Sequence, residues 1–369
     1  MTRVLLIANH PTYVFTLRRE IIEKLVEEHY DVAICCPYGE ELDYFENIGC
    51  KIFDSSLKRH GKNIFEELKL KREYGRVIDE YEPNIILTFT IKPNLYAGME
   101  AAKRDIPYII NITGLGTPLE REGVTKKLLI KVYKYAIRKV STIMFQNKEN
   151  MRFFENNKLL KGKRVLLPGS GVNTQYFDYL DYPTSSIQRF VFISRVMKEK
   201  GIEEFLSAAE VIHKEFPNTE FHICGFLENE YKERSGELNK KDYIKYHGMV
   251  RDIRTVLKNM NCTVHPSYYP EGMSNVLLES ASSGRPIITT NRSGCKETVD
   301  DKVTGYIFAQ KDSQDLIEKI EHFLNLKFEE RKAMGLAGRE KTVNEFDRNI
   351  VVNEYLNEIE KILGKENNE

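Results

Sequence analysis

The chain has 369 residues, more than the roughly 100–200 of a typical single domain, so two domains with separate cores are expected. Hydrophobic residues make up 41% and charged residues 30%, and Lys+Arg and Asp+Glu are both 55, so the net charge is zero. That balance supplies no basic field for nucleic acid, and no nucleic-acid-binding motif occurs.

The amino-terminal apolar run Val4–Ala8 breaks at Asn9-His10-Pro11, too early for a signal peptide. No window approaches the roughly 20 apolar residues of a spanning helix. Cys35, Cys36, Cys50, Cys224, Cys262 and Cys295 form no Cys-x-x-Cys pair, and several sit in apolar runs, where cysteine acts as a small hydrophobe. A cytoplasmic, reduced protein with no bound metal is expected.

In chain order, β-branched runs at Val4–Ala8, Val32–Cys36, Ile85–Phe89, Tyr108–Ile112, Thr142–Phe145 and Arg164–Leu167 read as buried strands. Helical patterns at Phe15–Glu28, Ile64–Tyr81 and Asn94–Lys103 lie between them. The alternation predicts a doubly wound parallel sheet over residues 1–170. Pro168 to Gln188, with Gly169, Gly171, Pro183 and Ser185-Ser186, has linker chemistry. The rhythm restarts at Phe190–Ile193, Thr219–Ile223, Ile244–His247, Cys262–His265 and Ile287–Thr289, giving a second Rossmann-like α/β domain over 188–348. A last helix near 349–363 is free to pack back on the first domain. Ligands of such sheets bind outside the carboxyl ends of strands, which predicts a site in a cleft between two facing domains.

The richest segment is Pro266-Ser267-Tyr268-Tyr269-Pro270-Glu271-Gly272-Met273-Ser274-Asn275, continuing to Glu279. A strand ending at His265 turns and enters a helix near Ser274, whose first amides suit a diphosphate. Glu271 on the turn and Glu279 in the helix can each accept hydrogen bonds from hydroxyls. Two isolated glutamates would read as a turn residue and a solvated helix position. The second segment, Phe190 to Gly201, brings Arg195 to a strand's carboxyl end ahead of Lys200-Gly201, where both cations can meet phosphate oxygens.

The spacing of Glu271 to Glu279, and of Arg195 to Lys200-Gly201, resembles the motifs of glycosyltransferase family four, retaining enzymes of GT-B architecture. The resemblance implies that Glu271 contacts a donor hexose and Glu279 a ribose. It places Arg195 and Lys200 on the diphosphate, and the backbone of Gly272, Met273, Ser274 and Asn275 near the donor. Tyr246-His247-Gly248-Met249-Val250 falls where the family holds the base, and Gly294-Cys295-Lys296-Glu297 matches a further family turn. A UDP-sugar donor and no metal or other cofactor follow from the resemblance. Leu87–Asn94 and Asn111–Thr117 resemble a bacterial subgroup that builds capsule, O-antigen and other glycans. Its members add a hexose or N-acetylhexosamine to a saccharide on a polyprenyl diphosphate. A nucleotide-sugar epimerase of the same architecture and a non-catalytic nucleotide-sugar-binding partner are the alternative readings.

Two departures mark the first half. Phe89 stands where many relatives carry a histidine facing the donor sugar, and Asn9-His10-Pro11-Thr12 replaces the usual Gly-Gly; His10 is then a candidate catalytic residue or an ordinary loop histidine. Gly114 and Gly116 read equally as a tight turn and as an approach to acceptor or donor phosphate. Lys92 reads as a partner for an acceptor diphosphate or as a solvated lysine. Over residues 124–140, Leu128, Leu129, Val132, Tyr133, Ala136, Ile137 and Val140 form one apolar face. Arg121, Lys126, Lys127, Lys131, Lys134, Arg138 and Lys139 outnumber Glu120 and Glu122 around it. A helix packed in the core accounts for the apolar face, and contact with an anionic membrane accounts for the charge.

Overall fold

The computed structural model of the chain describes residues 1–56, 64–116, 119, 122–233 and 235–364. Thr117, Glu120, Arg121 and the polar tail Lys365–Glu369 of the sequence reading lie outside these residues. The chain divides into two compact units. The first comprises Met1–Ser170, Pro270–Met273 and Arg348–Glu369, and the second Gly171–Tyr269 and Ser274–Asp347. Pro270–Met273, which the sequence reading put in the second domain, therefore clusters with the first unit.

In the first unit, β1 (Arg3–Ile7), β2 (Asp31–Cys36), β3 (Lys51–Asp54), β4 (Ile85–Phe89), β5 (Tyr108–Ile112), β6 (Thr142–Phe145) and β7 (Lys163–Leu166) form one parallel sheet. Its order is β3-β2-β1-β4-β5-β6-β7. The period-two alternation of strand side chains sends Leu5 and Ile7 to one face and Val4 and Leu6 to the other. The first face packs on α2 (Ile64–Tyr81), α3 (Ile91–Lys103) and α4 (Val124–Ala136). The second packs on α1 (Pro11–Glu27) and, from the far end of the chain, α10 (Arg348–Ile362). Polar contacts fix α10 there: Arg348 donates to Glu20 (2.7 Å) and to the Thr16 carbonyl (3.2 Å). The buried Glu358 carboxylate pairs with Lys163 and accepts from the Thr142 hydroxyl.

The second unit holds β8 (Gln188–Ile193), β9 (Thr219–Cys224), β10 (Ile244–Gly248), β11 (Cys262–His265), β12 (Ile287–Thr290) and β13 (Gly305–Phe308). They too are parallel, in the order β10-β9-β8-β11-β12-β13. Around them lie α6 (Ile202–Glu215), α7 (Asn275–Ser282), α8 (Ser313–Asn325) and α9 (Phe328–Phe346), while α5 (Lys148–Asn156) belongs to the first unit. Phe190, Phe192, Phe205 and Phe221 fill the core between sheet and α6. Each strand order reverses once, between β1 and β4 in the first unit and between β8 and β11 in the second. Those reversals are where doubly wound sheets open a ligand crevice.

Three further sequence expectations need correction. Arg164–Leu167, read as a buried strand, is the edge strand β7 (Lys163–Leu166), with three of its four residues exposed. Leu128, assigned to the apolar face of α4, is 61% exposed; the buried face is Tyr133, Ala136, Ile137 and Val140, with Leu129 and Val132 half-buried. Phe89 faces no open space, being fully buried in the core beneath α1 and α10. All six cysteines are buried and free. No helix among the described residues is long and apolar enough to cross a membrane.

Candidate active site

The second unit assembles a cationic site at its strand reversal. Strand β8 ends at Ile193, and the loop beyond it carries Arg195 and then a short turn, Lys198–Lys200, closed by Gly201 at φ 80°. A left-handed glycine lets the chain enter α6 directly after Lys200. The neighbouring loop, after β11, is tied to this turn because the Tyr268 amide donates to the Glu199 carbonyl (3.0 Å). That contact brings Tyr269 beneath both cations. The Arg195 guanidinium lies 5.4 Å and the Lys200 ammonium 5.0 Å from the centre of its ring. A tyrosine face attracts each cation and fixes its direction without neutralising it.

Burial sets the electrostatics of Lys200. It is enclosed by protein, and desolvation pulls its pKa down to about 8; the Arg195 charge lowers it further, while the Cys295 thiol acts against the shift. Buried beside it, His265 is pushed down to about 3, by desolvation first and by Lys200 second. Cys295 is pushed up to about 11 by burial. At neutral pH both neighbours are therefore uncharged, and Lys200 keeps a field that an entering anion would meet at low dielectric. Arg195 is held by Glu228 at 2.8 Å.

Helix α7 begins at Asn275 with Ser274 in extended conformation as its N-cap and with no side-chain hydrogen bond to the helix amides. The Ser274 amide donates to the Gly294 carbonyl (2.8 Å), and its hydroxyl lies 3.3 Å from His265 Nε2. Glu279 follows on α7, half-buried. At the end of β10, Gly248 is bonded to Gly225 through its carbonyl (2.8 Å), and beyond the strand Met249 is exposed and Val250 half-buried.

In the first unit, Asn147 is the N-cap of α5, its Oδ1 accepting from the Asn150 amide (2.8 Å). Its Nδ2 donates to the carbonyls of Gly272 (2.5 Å) and Glu271 (3.2 Å). Gly272 has no room for a Cβ, which would meet Gln146 and the Thr113 carbonyl, and at Gly114 a Cβ would stand 3.4 Å from the Gly272 amide. Gly114 (φ 144°) and Gly116 (φ 69°) both take conformations that favour glycine. The 270–273 turn is thus seated by Asn147 and by glycines on both sides. Glu271 is half-buried within it, and Met273 is buried.

The remaining sequence candidates lie elsewhere in the first unit. His10 is exposed, at the N-cap of α1. Lys92, on α3, forms an ion pair with Glu67 at 2.7 Å. Sequence reasoning missed Tyr269, Glu228, His265 and Asn147. Tyr269 left a trace as one of the aromatic pair before Pro270-Glu271, and His265 only as the end of a strand.

Two families match. Glycosyl transferase 4-like covers residues 3–147, and Glycosyl transferases group 1 covers residues 186–341. The chain is 24% identical over 368 residues (95% of this chain, 96% of the relative) to the N,N'-diacetylbacillosaminyl-diphospho-undecaprenol alpha-1,3-N-acetylgalactosaminyltransferase of Campylobacter jejuni. It is 23% identical to the UDP-Gal:alpha-D-GlcNAc-diphosphoundecaprenol alpha-1,3-galactosyltransferase of Escherichia coli, over 81% of each chain. A glycosyltransferase from Rickettsia africae superposes with a TM-score of 0.80 at 19% identity, over 99% of each chain, and shares the fold. With one family over the first sheet and the other over the second, this chain belongs to the glycosyltransferases of GT-B architecture, and the cations on Tyr269 lie in its group 1 domain.

Proposed function

We propose that the protein transfers a hexose or N-acetylhexosamine from a UDP-sugar to a saccharide on a polyprenyl diphosphate, with retention of anomeric configuration. The observation that carries the donor half is the pairing of Arg195 and Lys200 over Tyr269 at the strand reversal of the second sheet. As the glycosidic bond breaks, negative charge grows on the departing diphosphate. Fixed cations in a low-dielectric site stabilise that charge more than they stabilise the ground state. They also take the place of a metal, so transfer is expected to persist in EDTA. Glu271 and Glu279 hold sugar and ribose hydroxyls, and the leaving phosphate oxygen receives the acceptor's proton. The acceptor class is supported by the two relatives, both named for sugar transfer to undecaprenol-diphosphate-linked acceptors.

The test is transfer from UDP-galactose and UDP-N-acetylgalactosamine to undecaprenyl-diphosphate N-acetylglucosamine, with NMR of the product. An α-linked product is expected, whereas a β-linked product would remove the retaining mechanism. An absence of product with every lipid-linked acceptor would remove the acceptor assignment.

Membrane contact is part of the same reading. Val124, Leu128, Lys131 and Tyr135 follow one another at helical spacing on α4, all exposed, with Lys127 and Lys134 beside them. Apolar side chains interleaved with lysines suit an anionic bilayer surface, at about 1 kcal/mol per cation near it. Lys131→Glu combined with Lys134→Glu is expected to weaken sedimentation with phosphatidylglycerol vesicles at least tenfold. Unchanged sedimentation would leave α4 a purely structural helix.

A further inference from the structure

The second unit holds a pair of histidine side chains that the proposed transfer does not use. Strands β8 and β9 send Phe190, Phe192, Phe221 and Ile223 to the face under α6, and Val191 and Cys224 to the other. Alternation puts Arg189, Glu220 and His222 on that second face. There Arg189 Nε donates to a Glu220 oxygen at 2.7 Å, and the same oxygen lies 3.4 Å from His222 Nε2. The other nitrogen of His222, Nδ1, is 2.9 Å from Nε2 of His247 on the edge strand β10. The two rings are 13° from parallel with their centres 5.2 Å apart. With the nitrogens at 2.9 Å, that separation sets the rings edge to edge, one nitrogen facing the other.

The backbone is shaped for this meeting. Tyr246 of β10 stands opposite Ile223 of β9, but it is Gly248 that stands opposite Cys224, so His247 is an extra residue in the ladder. A bulge of this kind bends the strand and re-aims a side chain. A cavity of about 500 Å³ adjoins the pair, with the polar side chains of Thr255 and Asn259 in its lining.

Glu220 also fixes the proton on His222. A carboxylate accepts, so Nε2 is the donor and Nδ1 presents its lone pair. Arg189 holds the carboxylate in place. A carboxylate behind a histidine is the arrangement that orients the ring as a metal ligand. His247 meets the lone pair with its own Nε2–H, so one proton sits between two nitrogens that can both ligate. Moving that proton to Nδ1 of His247 leaves two facing lone pairs, with no proton released.

We infer that His222 Nδ1 and His247 Nε2 bind a divalent metal ion of the zinc and copper class, with Glu220 and Arg189 as positioning residues and water completing the coordination from the cavity. Metal–nitrogen bonds of about 2.0–2.1 Å in a tetrahedral site put the two nitrogens ~3.3 Å apart. The pair must open slightly, which His247 can do because it is exposed on an edge strand. Imidazole suits zinc and copper, whereas magnesium takes oxygen ligands. The ion clamps β10 to β9. It takes no part in the chemistry at Arg195 and Lys200, so transfer is still expected to persist in EDTA.

The test titrates the untagged, chelator-treated full-length protein with Zn²⁺, Cu²⁺ and Mg²⁺ by calorimetry, beside His247→Gln and Glu220→Gln. The Tm of each protein is measured with and without Zn²⁺. The wild type is expected to bind Cu²⁺ more tightly than Zn²⁺, to ignore Mg²⁺, and to gain Tm with Zn²⁺. His247→Gln, at an exposed position, is expected to stay folded, to bind Zn²⁺ at least tenfold more weakly and to lose the gain in Tm. Glu220→Gln keeps both ligands and is expected to weaken Zn²⁺ roughly tenfold, a loss that a carboxylate with no role behind the ligand would not cause. Wild-type Zn²⁺ affinity in His247→Gln, or a wild type that binds neither Zn²⁺ nor Cu²⁺, would overturn the site. Unchanged affinity in Glu220→Gln would overturn the positioning role.

Discussion

Replacing Lys200 with Ala is expected to lower transfer at least tenfold, about 1.4 kcal/mol or more of transition-state stabilisation, without lowering Tm. The two outcomes have one cause. The ammonium is buried beside neutral His265 and Cys295, so at neutral pH its charge is held against a desolvation penalty. Removing it relieves the empty protein and deprives the departing diphosphate of its most enclosed cation. The sign of the pH dependence follows. The folded pKa of about 8 lies below the model-compound value of 10.5, so between these limits the unfolded chain binds more protons. Stability from this group therefore rises with pH across that window. Ligand affinity runs the other way, because a diphosphate favours the ammonium: UDP binding is expected to weaken as pH rises through about 8. Lys200→Arg should flatten that profile, since a guanidinium stays charged. Calorimetric titration of both proteins from pH 7 to 9.5 measures it.

Gly201→Ala is expected to be the most damaging small substitution in the second unit. The residue sits at φ 80°, and a Cβ there would overlap the carbonyl of Pro266, which opens the loop bearing Tyr269. Left-handed strain and a backbone clash together cost about 2 kcal/mol or more, roughly 4–8 °C in Tm for a unit of this size. Relief of the clash must push the β8 and β11 loops apart, breaking the Tyr268–Glu199 contact that brings Tyr269 under the cations. Thermal unfolding and UDP binding, measured together, should both decline. A variant with the wild-type Tm and affinity would show that the two loops tolerate separation.

The parallel sheets were legible because most of their strands are buried on both faces and read as unbroken apolar runs. Thus β4, β5, β6 and β11 have the limits expected from sequence. Strands β3 and β13 were not read: each has four residues, half of them or more outside the buried class, and each closes an edge of its sheet. The cationic motif was legible through the spacing of Arg195 and Lys200, but its support was not. Tyr269 acts through the face of its ring, and Asn147 reaches a segment more than 120 residues away. Periodicity misjudged Leu128 because a stripe at helical spacing does not say where the core ends and an exposed apolar strip begins.

The central claim is that the Arg195–Lys200 pair over Tyr269 is a nucleoside-diphosphate site. Its most direct test is a thermal-shift series with UDP, GDP, ADP and their sugars on the wild type and Lys200→Ala. A ligand that binds only the native state raises its stability by RT ln(1 + [L]/Kd). The expected result is a rise in Tm with UDP and at least one UDP-sugar, absent in the variant. Wild-type protein whose Tm no nucleotide moves, or a shift that survives intact in Lys200→Ala, would contradict it.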